Sequence, residues 1–356
     1  MLNQLFSKKV SPMLGLDIGT RSVKAVLLSN SGGQIQIIGY ACEPIQGNAF
    51  AEREIKDFDA VSAAIRKAKM SVKSKCKTAA VAVSGSTVIT KVVFMDPGQT
   101  DFEMESQIEV EADSLIPYPL DEVYLDFEEV GESKTHVGKV DVLLSAAHKD
   151  MIDGRVTLLR ELELEPKVVD VDGYALGTAL LNYADQPEEG APLCCINLGA
   201  SQLIVTVVQQ DRVIYSKEHG FGMDNLVRDL SLVLGMDPFE VSKQLVAGEL
   251  PEGWREQSLP VFVANLQQQL NRALQMYVSS TNRDRPARIL ISGGGANLPG
   301  LAQELEKEMS LKVDVFNPLC HMKIRDNLDA DALMKLAPQL AIAVGLADRS
   351  FSPWHI

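Results

Sequence analysis

The chain has 356 residues, of which 46% are hydrophobic and 23% charged, and its formal net charge is −14. Such a composition is typical of a folded globular protein, and the length predicts at least two domains. The acidic balance offers no general basic field for nucleic acid or an anionic membrane. We find no run of about 18 apolar residues and no apolar segment behind Lys8 and Lys9, so we expect no membrane span and no signal peptide.

Strands and helices alternate along the first half of the chain, as read from hydrophobic periodicity and turn residues. The predicted strands cover residues 13–28, 34–43, 78–83, 88–94, 123–130 and 139–147, and the predicted helices cover residues 57–68, 101–115 and 149–161. A glycine turn at 31–33 joins the first two strands. Residues 88–165 are too many for a loop, so we predict that they form a small inserted α+β subdomain.

Three glycine-containing segments carry the chemistry that can be read from the sequence. The first two repeat one pattern, LDIGTRSVKAV at 16–26 and INLGASQLIVT at 196–206, in which an apolar strand, a glycine turn and a returning strand follow one another. The third, RILISGGGANLPGL at 288–301, runs from an apolar strand through glycines into a helix. Glycine turns bring backbone N–H groups close to a ligand, so two opposed turns predict a phosphate clamp.

Together the three segments resemble the phosphate-1, phosphate-2 and adenosine motifs of the actin, Hsp70 and sugar-kinase superfamily. The resemblance implies an α/β fold of two lobes, each on a mixed five-stranded sheet, with ATP bound between them. The five cysteines and five histidines lack metal-ligand spacing. The cysteines are odd in number, and a reducing cytoplasm is the expected compartment.

A narrower resemblance covers residues 13–349 and points to the type IV pilus assembly PilM family. It is carried by IPYPLDEV at 116–123, VDVDGYAL at 169–176, the segment 263–277 and the segment 336–347. The resemblance implies lobe one at 13–87 and 166–190, an inserted subdomain at 88–165, lobe two at 191–335, and a closing helix at 336–349 that returns to lobe one.

By this resemblance the first segment supplies Asp17, Gly19, Thr20, Arg21 and Lys24 to a nucleotide. Asp17 is expected to hold Mg²⁺ through water, the alternative role being an Asx cap of the turn. Lys24 is expected to reach the phosphates, the alternative being a solvated strand lysine.

In the second segment we expect Asn197, Gly199 and Ala200 to face the phosphates. Asn197 departs from the superfamily pattern, because active members place an aspartate there and an amide adds no negative charge to organise Mg²⁺. Asp172 is the candidate catalytic residue that orients water, and a helix-start cap is its alternative. We therefore predict ATP binding with weak or absent hydrolysis.

The remaining site residues are expected around the ribose and the base. Gly222 and Met223 are placed near phosphate or ribose, with Asp224 as a helix cap. Lys243 is placed beside the base or ribose, although a surface pair with Glu240 is the common alternative. Gly293, Gly294, Gly295 and Asn297 are expected to flank the adenosine.

The resemblance implies a cytoplasmic scaffold that binds ATP (or ADP) with Mg²⁺ and is held at the inner membrane only through partners. The implied partner is the N-terminal cytoplasmic tail of PilN, which is expected in a groove by the inserted subdomain. Further expected partners are pilus motor ATPases, other inner-membrane pilus proteins and further copies of the chain. Nucleic acid is not an expected partner. The alternatives are an FtsA-like division or filament protein and, in another class, a sugar-kinase-like phosphotransferase.

Overall fold

The computed structural model describes residues 11–352 except 52, 86, 87, 134, 188 and 189. The expectation of no signal peptide depends on residues outside this range. The chain divides into two compact units, one made of the residues up to Ala82 and from Leu164 onward, the other of Val83–Glu163.

The secondary structure follows the predicted alternation of strands and helices. The strands are β1 (Leu14–Ile18), β2 (Ser22–Ser31), β3 (Gln34–Pro44), β4 (Phe50–Ala51), β5 (Glu54–Ile55), β6 (Thr78–Val83), β7 (Val88–Met95), β8 (Val123–Glu132), β9 (Val140–His148), β10 (Glu165–Val171), β11 (Leu193–Leu198), β12 (Leu203–Gln209), β13 (Arg212–His219), β14 (Arg288–Ser292), β15 (Lys312–Val315) and β16 (Lys323–Ile324). The α-helices are α1 (Phe58–Val72), α2 (Asp101–Leu115), α3 (Lys149–Glu161), α4 (Asp172–Tyr183), α5 (Met223–Leu234), α6 (Pro238–Ala247), α7 (Trp254–Gln257), α8 (Leu259–Thr281), α9 (Leu301–Met309), α10 (Ala330–Leu336) and α11 (Ala341–Asp348).

The first unit contains two large sheets, and lobe one is built on the first of them. Its strand order is β10-β6-β1-β2-β3-β16, with β1 antiparallel to β2 and parallel to β6. The predicted glycine turn is confirmed, because Gly32 and Gly33 have φ values of +63° and +87° between β2 and β3. The sheet has six strands instead of the five expected, since β16 adds in parallel to β3. The chain has therefore returned to this sheet by Lys323, before the expected boundary at 336.

Lobe two is built on the second sheet, with the order β13-β12-β11-β14-β15. Its central strand β11 is antiparallel to β12 and parallel to β14, so it has the same kind of neighbours as β1 in the first sheet. This repeated pairing places the first two glycine segments at equivalent turns of the two sheets, as the internal repeat predicts. Helices α5, α8 and α9 supply buried side chains to the core of this lobe, among them Leu226, Phe262 and Leu301.

Helices α4 and α11 join the two lobes through one continuous apolar core. Helix α11 packs on β1 and β2, α4 packs on β12 and β13, and the helices pack on each other. A Cβ atom on Gly345 would lie 1.8 Å from the carbonyl oxygen of Ala175, and one on Gly15 would lie 2.1 Å from that of Ala343. Glycine is thus required at two backbone crossings that bring α11 onto both β1 and α4.

The closing segment is not the single helix predicted for 336–349. A 3₁₀ helix at Ala337–Leu340 precedes α11, and Pro338 lies in its first turn. Proline lacks the N–H group of a continuous helix, so the chain uses a tighter turn before α11 begins. The Pro338 carbonyl accepts a hydrogen bond of 2.8 Å from the Gly293 N–H, which fastens this turn to the third glycine segment.

The second unit is a three-stranded antiparallel sheet with the order β7-β9-β8, and α2 covers one of its faces. Val93 and Met95 of β7 share a buried core with Met104 and Ile108 of α2. Thr100 caps the start of helix α2, and its side chain accepts from the N–H of Glu103 in a capping box. The unit Val83–Glu163 starts five residues before the start of the inserted subdomain expected at 88–165, and it ends two residues before the expected end of that subdomain.

One segment, Ala330–Asp348, is long and apolar enough to cross a membrane by length and composition. It comprises α10, the 3₁₀ turn and α11, and 61% of the relevant window is buried inside the protein. Its apolar residues belong to the core between the two lobes, which accounts for the composition.

Candidate functional site

The first glycine turn, residues 18–22, joins β1 to β2, and the charged pair of Asp17 and Lys24 lies beside it. The Gly19 N–H donates to the Ser22 carbonyl over 3.1 Å and closes the turn. Asp17 pairs with Lys24 across the ladder, and Nζ of Lys24 lies 3.2 Å from Oδ2 of Asp17. Their side chains are 10% and 15% exposed, so both charges face a largely enclosed space.

The second glycine turn, residues 198–202, repeats this geometry without the charges. The Gly199 N–H donates to the Gln202 carbonyl over 2.9 Å, as Gly19 does to Ser22. Asn197 pairs with Ile204 across the ladder, so an amide and an alkyl group replace the carboxylate and ammonium of the first turn. Nδ2 of Asn197 donates to Oγ of Ser292 over 3.2 Å, which fixes the amide orientation.

The second turn rests on the start of α5. The N–H groups of Met223 and Asp224 donate to the carbonyls of Gly199 and Ala200 over 3.0 and 2.8 Å. A Cβ atom on Gly222 would lie 2.2 Å from the Ala200 carbonyl oxygen. The N–H of Gly222 donates to Oδ1 of Asn225. Gly222 therefore allows a close backbone approach. It is not among the residues that line the cavity between the two glycine turns.

Side chains of the two turns meet across the cleft. Oγ1 of Thr20 lies 3.3 Å from Oγ of Ser201, and Nη2 of Arg21 lies 3.1 Å from Oδ1 of Asp224. The Arg21 and Asp224 side chains are 48% and 36% exposed, so this ion pair stands at the mouth of the cleft. Arg21, expected to bind the cofactor, thus has a carboxylate partner from the opposite lobe.

A cavity of about 720 Å³ lies between the two turns. Twelve of the sixteen residues expected at the site line it; they are Asp17, Gly19, Thr20, Arg21, Lys24, Asp172, Asn197, Gly199, Ala200, Met223, Gly294 and Asn297. Apolar side chains line another part of it, including Val227, Leu245, Leu298, Leu336 and Ile342. The cavity thus has a polar part at the turns and an apolar part, which is the usual lining of a small-molecule site.

The third glycine segment contributes only part of what was expected. Gly294 and Asn297 line the cavity, and Nδ2 of Asn297 donates to the Lys335 carbonyl over 3.1 Å. Gly293 and Gly295 do not line it. A Cβ atom on Gly293 would lie 2.5 Å from the Leu198 carbonyl oxygen, and one on Gly295 would lie 2.4 Å from a Leu198 side-chain atom, so both glycines serve packing against β11.

Lys243, expected beside the base or ribose, is exposed and is not among the residues that line the cavity. The residues of α6 that do line it are Ser242, Leu245, Val246 and Ala247. Ala247 lies four positions after Lys243, so the two residues share a face of α6. The placement of Lys243 beside the base or ribose stays a prediction.

Asp172, the first residue of α4, lies in the cavity beside an arginine that the sequence did not indicate. Nη2 of Arg53 lies 2.5 Å from Oδ2 of Asp172, and the two side chains are 12% and 7% exposed. Arg53 lies between β4 and β5, the two paired strands that we call the ribbon. This ion pair occupies the carboxylate that we expected to orient water.

Other lining residues were also missed. Ser201 and Gln202 belong to the second turn, and the repeat itself could have indicated them. Arg255 and Gln339 come from α7 and the 3₁₀ turn before α11. Beside the site, burial raises the pKa of the Cys42 thiol, so Cys42, which pairs with Lys24 across the ladder, stays protonated.

Among the described residues, no group of three or more His, Cys, Asp or Glu side chains could hold a metal ion. Asp17 and Asp172 supply single carboxylates to the cavity, and each already has a cationic partner. A Mg²⁺ ion at this site would therefore need phosphate oxygens and water to complete its six ligands.

The profile of the type IV pilus assembly protein PilM family matches residues 15–351. The chain belongs to the PilM family. The match includes both lobes, the second unit and α11, so the family assignment applies to the whole described fold.

Solved structures of PilM and related proteins share this fold. A structure described as a PilM-PilN type IV pilus biogenesis complex aligns with a TM-score of 0.83 and 22% identity, covering 96% of this chain and 99% of that one. The ethanolamine utilization protein EutJ of Carboxydothermus hydrogenoformans aligns with a TM-score of 0.58 and 14% identity, covering 97% and 94%. These similarities confirm the two-lobed actin-like ATPase fold expected from the sequence.

A curated relative lies outside pilus assembly. The cell division protein FtsA of Streptococcus pneumoniae is 21% identical over 350 residues, which cover 85% of this chain and 75% of FtsA. The chain is thus also similar in sequence to FtsA. The family profile places it with PilM.

Proposed function

We propose that this member of the PilM family is a nucleotide-binding scaffold of type IV pilus assembly that holds the N-terminal tail of PilN. The observation that carries the proposal is the family match over residues 15–351. The similar structure solved as a PilM-PilN complex supports PilN as the partner. The same match favours this function over a division protein like FtsA and over a sugar-kinase-like phosphotransferase.

The nucleotide part of the proposal is supported by the shape and chemistry of the cavity. Its volume of about 720 Å³ falls in the usual range for ligands of nucleotide size. Two glycine turns face each other across it, and Lys24 offers a cation beside the first turn. We propose ATP or ADP as the ligand, with its phosphates at the turns and its base among the apolar residues, and Mg²⁺ held by the phosphates and by water on Asp17.

We further propose that any hydrolysis is slow. Asn197 supplies an amide where a carboxylate would help to organise Mg²⁺, and Asp172 is bound to Arg53. Neither group is arranged as a free general base in this structure, so the nucleotide would act mainly by holding the two lobes together.

The proposed docking surface for the PilN tail is the sheet face of the second unit that α2 leaves uncovered. Val92 and Phe94 of β7 alternate with the buried Val93 and Met95, and their exposed fractions are 51% and 38%. Tyr124 of β8 is 45% exposed and donates to Asp153 over 3.1 Å. Such a face can bind a short peptide through apolar contacts and, at a strand edge, through main-chain hydrogen bonds.

The test is a titration of a labelled peptide of the PilN N-terminal tail against the full chain, with and without Mg-ATP. We expect saturable binding that Val92→Asp weakens at least about tenfold, since a charge would have to be buried in the contact. Val110→Asp is the matched control, because Val110 is 77% exposed on α2 of the same unit. An equal loss in both variants, or no binding by the folded wild type, would contradict the proposal.

The remaining parts of the proposal concern location. We propose that the protein acts in the cytoplasm and is held at the inner membrane through PilN, with pilus motor ATPases, other inner-membrane pilus proteins or further copies of the chain as additional partners. The net charge of −14 supports the absence of a nucleic-acid role. Co-sedimentation with PilN-containing membranes, compared with membranes lacking PilN, tests this location.

A further inference from the structure

The cationic side chains around the cavity fall into two groups. Five line it among the described residues: Arg21, Lys24, Arg53, Arg255 and Lys335. Three of these, Arg21, Arg255 and Lys335, are exposed. The side chains of Lys24 and Arg53 are only 15% and 12% exposed, and each is paired with a largely buried carboxylate. The enclosed polar part of the cavity thus contains two cations and two anions.

The ribbon that carries Arg53 is attached beside the first glycine turn. After β3, the Ile45 N–H donates to the Arg21 carbonyl over 2.9 Å, so the chain leaves the sheet next to this turn. At the far end of the ribbon, the N–H groups of Lys56 and Asp57 donate to the Ala49 carbonyl over 2.8 and 3.2 Å. Arg53 is therefore presented from lobe one, whereas the third glycine segment and α6 at the apolar part belong to lobe two.

Arg53 also has the chemistry of a phosphate ligand. A guanidinium group has five N–H donors in a planar fork, which match pairs of phosphate oxygens as well as they match a carboxylate. Asp172 accepts a hydrogen bond of 2.5 Å from one of these N–H groups. An oxygen of a terminal phosphate could accept the same kind of hydrogen bond in its place. The exchange keeps the guanidinium paired with an anion whether or not a ligand is present.

We propose that Arg53 binds the terminal phosphate of a nucleoside triphosphate, and that Asp172 is its counter-ion when this phosphate is absent. This inference rests on the nucleotide part of the proposed function and makes it more specific. It assigns the preference for a triphosphate over a diphosphate to a residue of the ribbon, while Lys24 and the glycine turns serve both nucleotides. Asp172 is then a positioning residue for Arg53.

The experiment measures the dissociation constants of ATP and ADP, each with Mg²⁺, for the full chain and two variants that break the same ion pair from opposite sides. Arg53→Gln should weaken ATP binding about tenfold or more and ADP binding less than about threefold, as expected for one charge-assisted hydrogen bond. Asp172→Asn should raise the ratio of ATP to ADP affinity, because it removes the anion that competes for Arg53.

Arg66→Gln is the matched control, since Arg66 is an exposed residue of α1 in the same lobe and does not line the cavity. Arg53→Lys, which keeps the charge but loses the fork, should give an intermediate loss of ATP affinity and replaces Arg53→Gln if that variant fails to fold. If both pair-breaking variants change ATP and ADP affinity alike, Arg53 is a structural residue and the inference is wrong. If the folded wild type binds neither nucleotide, the nucleotide part of the proposed function is wrong as well.

Discussion

Lys24 and Asp17 face each other across the β1–β2 ladder, with 3.2 Å between Nζ of Lys24 and Oδ2 of Asp17. At the equivalent position of the second sheet, Asn197 faces Ile204. The two lobes therefore share a backbone pattern, but only lobe one places an ion pair beside its glycine turn. Such a pair can be a structural contact or a phosphate-binding group with a resident counter-ion.

A double-mutant experiment separates these roles for Lys24. Lys24→Gln should lower the free energy of unfolding by about 1–3 kcal/mol, because it leaves the Asp17 carboxylate enclosed without its cation. It should also weaken both ATP and ADP binding about tenfold or more. Combining it with Asp17→Asn should recover most of the stability without recovering nucleotide binding. Urea unfolding and nucleotide titration measure the two effects, and full recovery of binding in the double variant would assign the pair a structural role only.

The sequence predicted the sheets and turns well because their signals are local. Strand alternation, the Gly32-Gly33 turn and the repeated glycine turns depend on neighbouring residues, and helix α3 was predicted at its observed bounds. Arg53 could not be predicted, since its partner Asp172 is 119 residues away and the ribbon has no motif. Gly222, Gly293 and Gly295 were assigned to a ligand because glycine in a turn fits both ligand approach and close packing, and only the surrounding backbone distinguishes these roles.

Gly19, in the first glycine turn, and Gly222, behind the second, should differ in what an added methyl group disturbs. On Gly19 the new Cβ atom would lie 2.9 Å from Nζ of Lys24, the mobile end of a side chain, whereas on Gly222 it would lie 2.2 Å from the Ala200 carbonyl oxygen. Gly19→Ala should therefore weaken nucleotide binding with little loss of stability. Gly222→Ala should lower the free energy of unfolding by about 1–3 kcal/mol or more, since backbone has to move. Thermal unfolding and nucleotide titration test the contrast, and the reverse ranking in stability would contradict it.

The identity of residue 197 should control the rate of ATP hydrolysis. Asn197→Asp places a carboxylate beside the second turn, where it can hold the water shell of Mg²⁺. The Ser292 hydroxyl now accepts from Asn197 and donates to the Ile196 carbonyl, so it would have to turn its proton from that carbonyl to the new carboxylate. We expect slow phosphate release from the wild type and a faster, Mg²⁺-dependent rate in the variant. Asn197→Ser, which adds no charge, is the control, and rapid hydrolysis by the wild type would contradict the role given to Asn197.

The C-terminal end of α11 should make stability depend on pH. Asp348 is buried and accepts hydrogen bonds from the Tyr183 hydroxyl and, over 2.8 Å, from Nδ2 of Asn182. Burial raises the pKa of Asp348 above its ordinary value of 3.8, although the bonds from Tyr183 and Asn182 and the charge of Arg349 oppose the shift. In the window between 3.8 and the raised value, the folded chain therefore binds a proton that the unfolded chain does not.

The contribution of Asp348 to stability is thus fully present below the unfolded pKa and is lost as the pH rises through the folded pKa. The Asp348→Asn variant cannot titrate at this position. The free energy of unfolding of the wild type should therefore rise relative to that of Asp348→Asn as the pH falls from about 7 to about 4. Asp211→Asn removes an exposed carboxylate of the same unit and is the control. Denaturant unfolding at several pH values measures the difference. A constant or opposite difference between the wild type and Asp348→Asn would mean that the bonds from Tyr183 and Asn182, and not burial, dominate at this carboxylate.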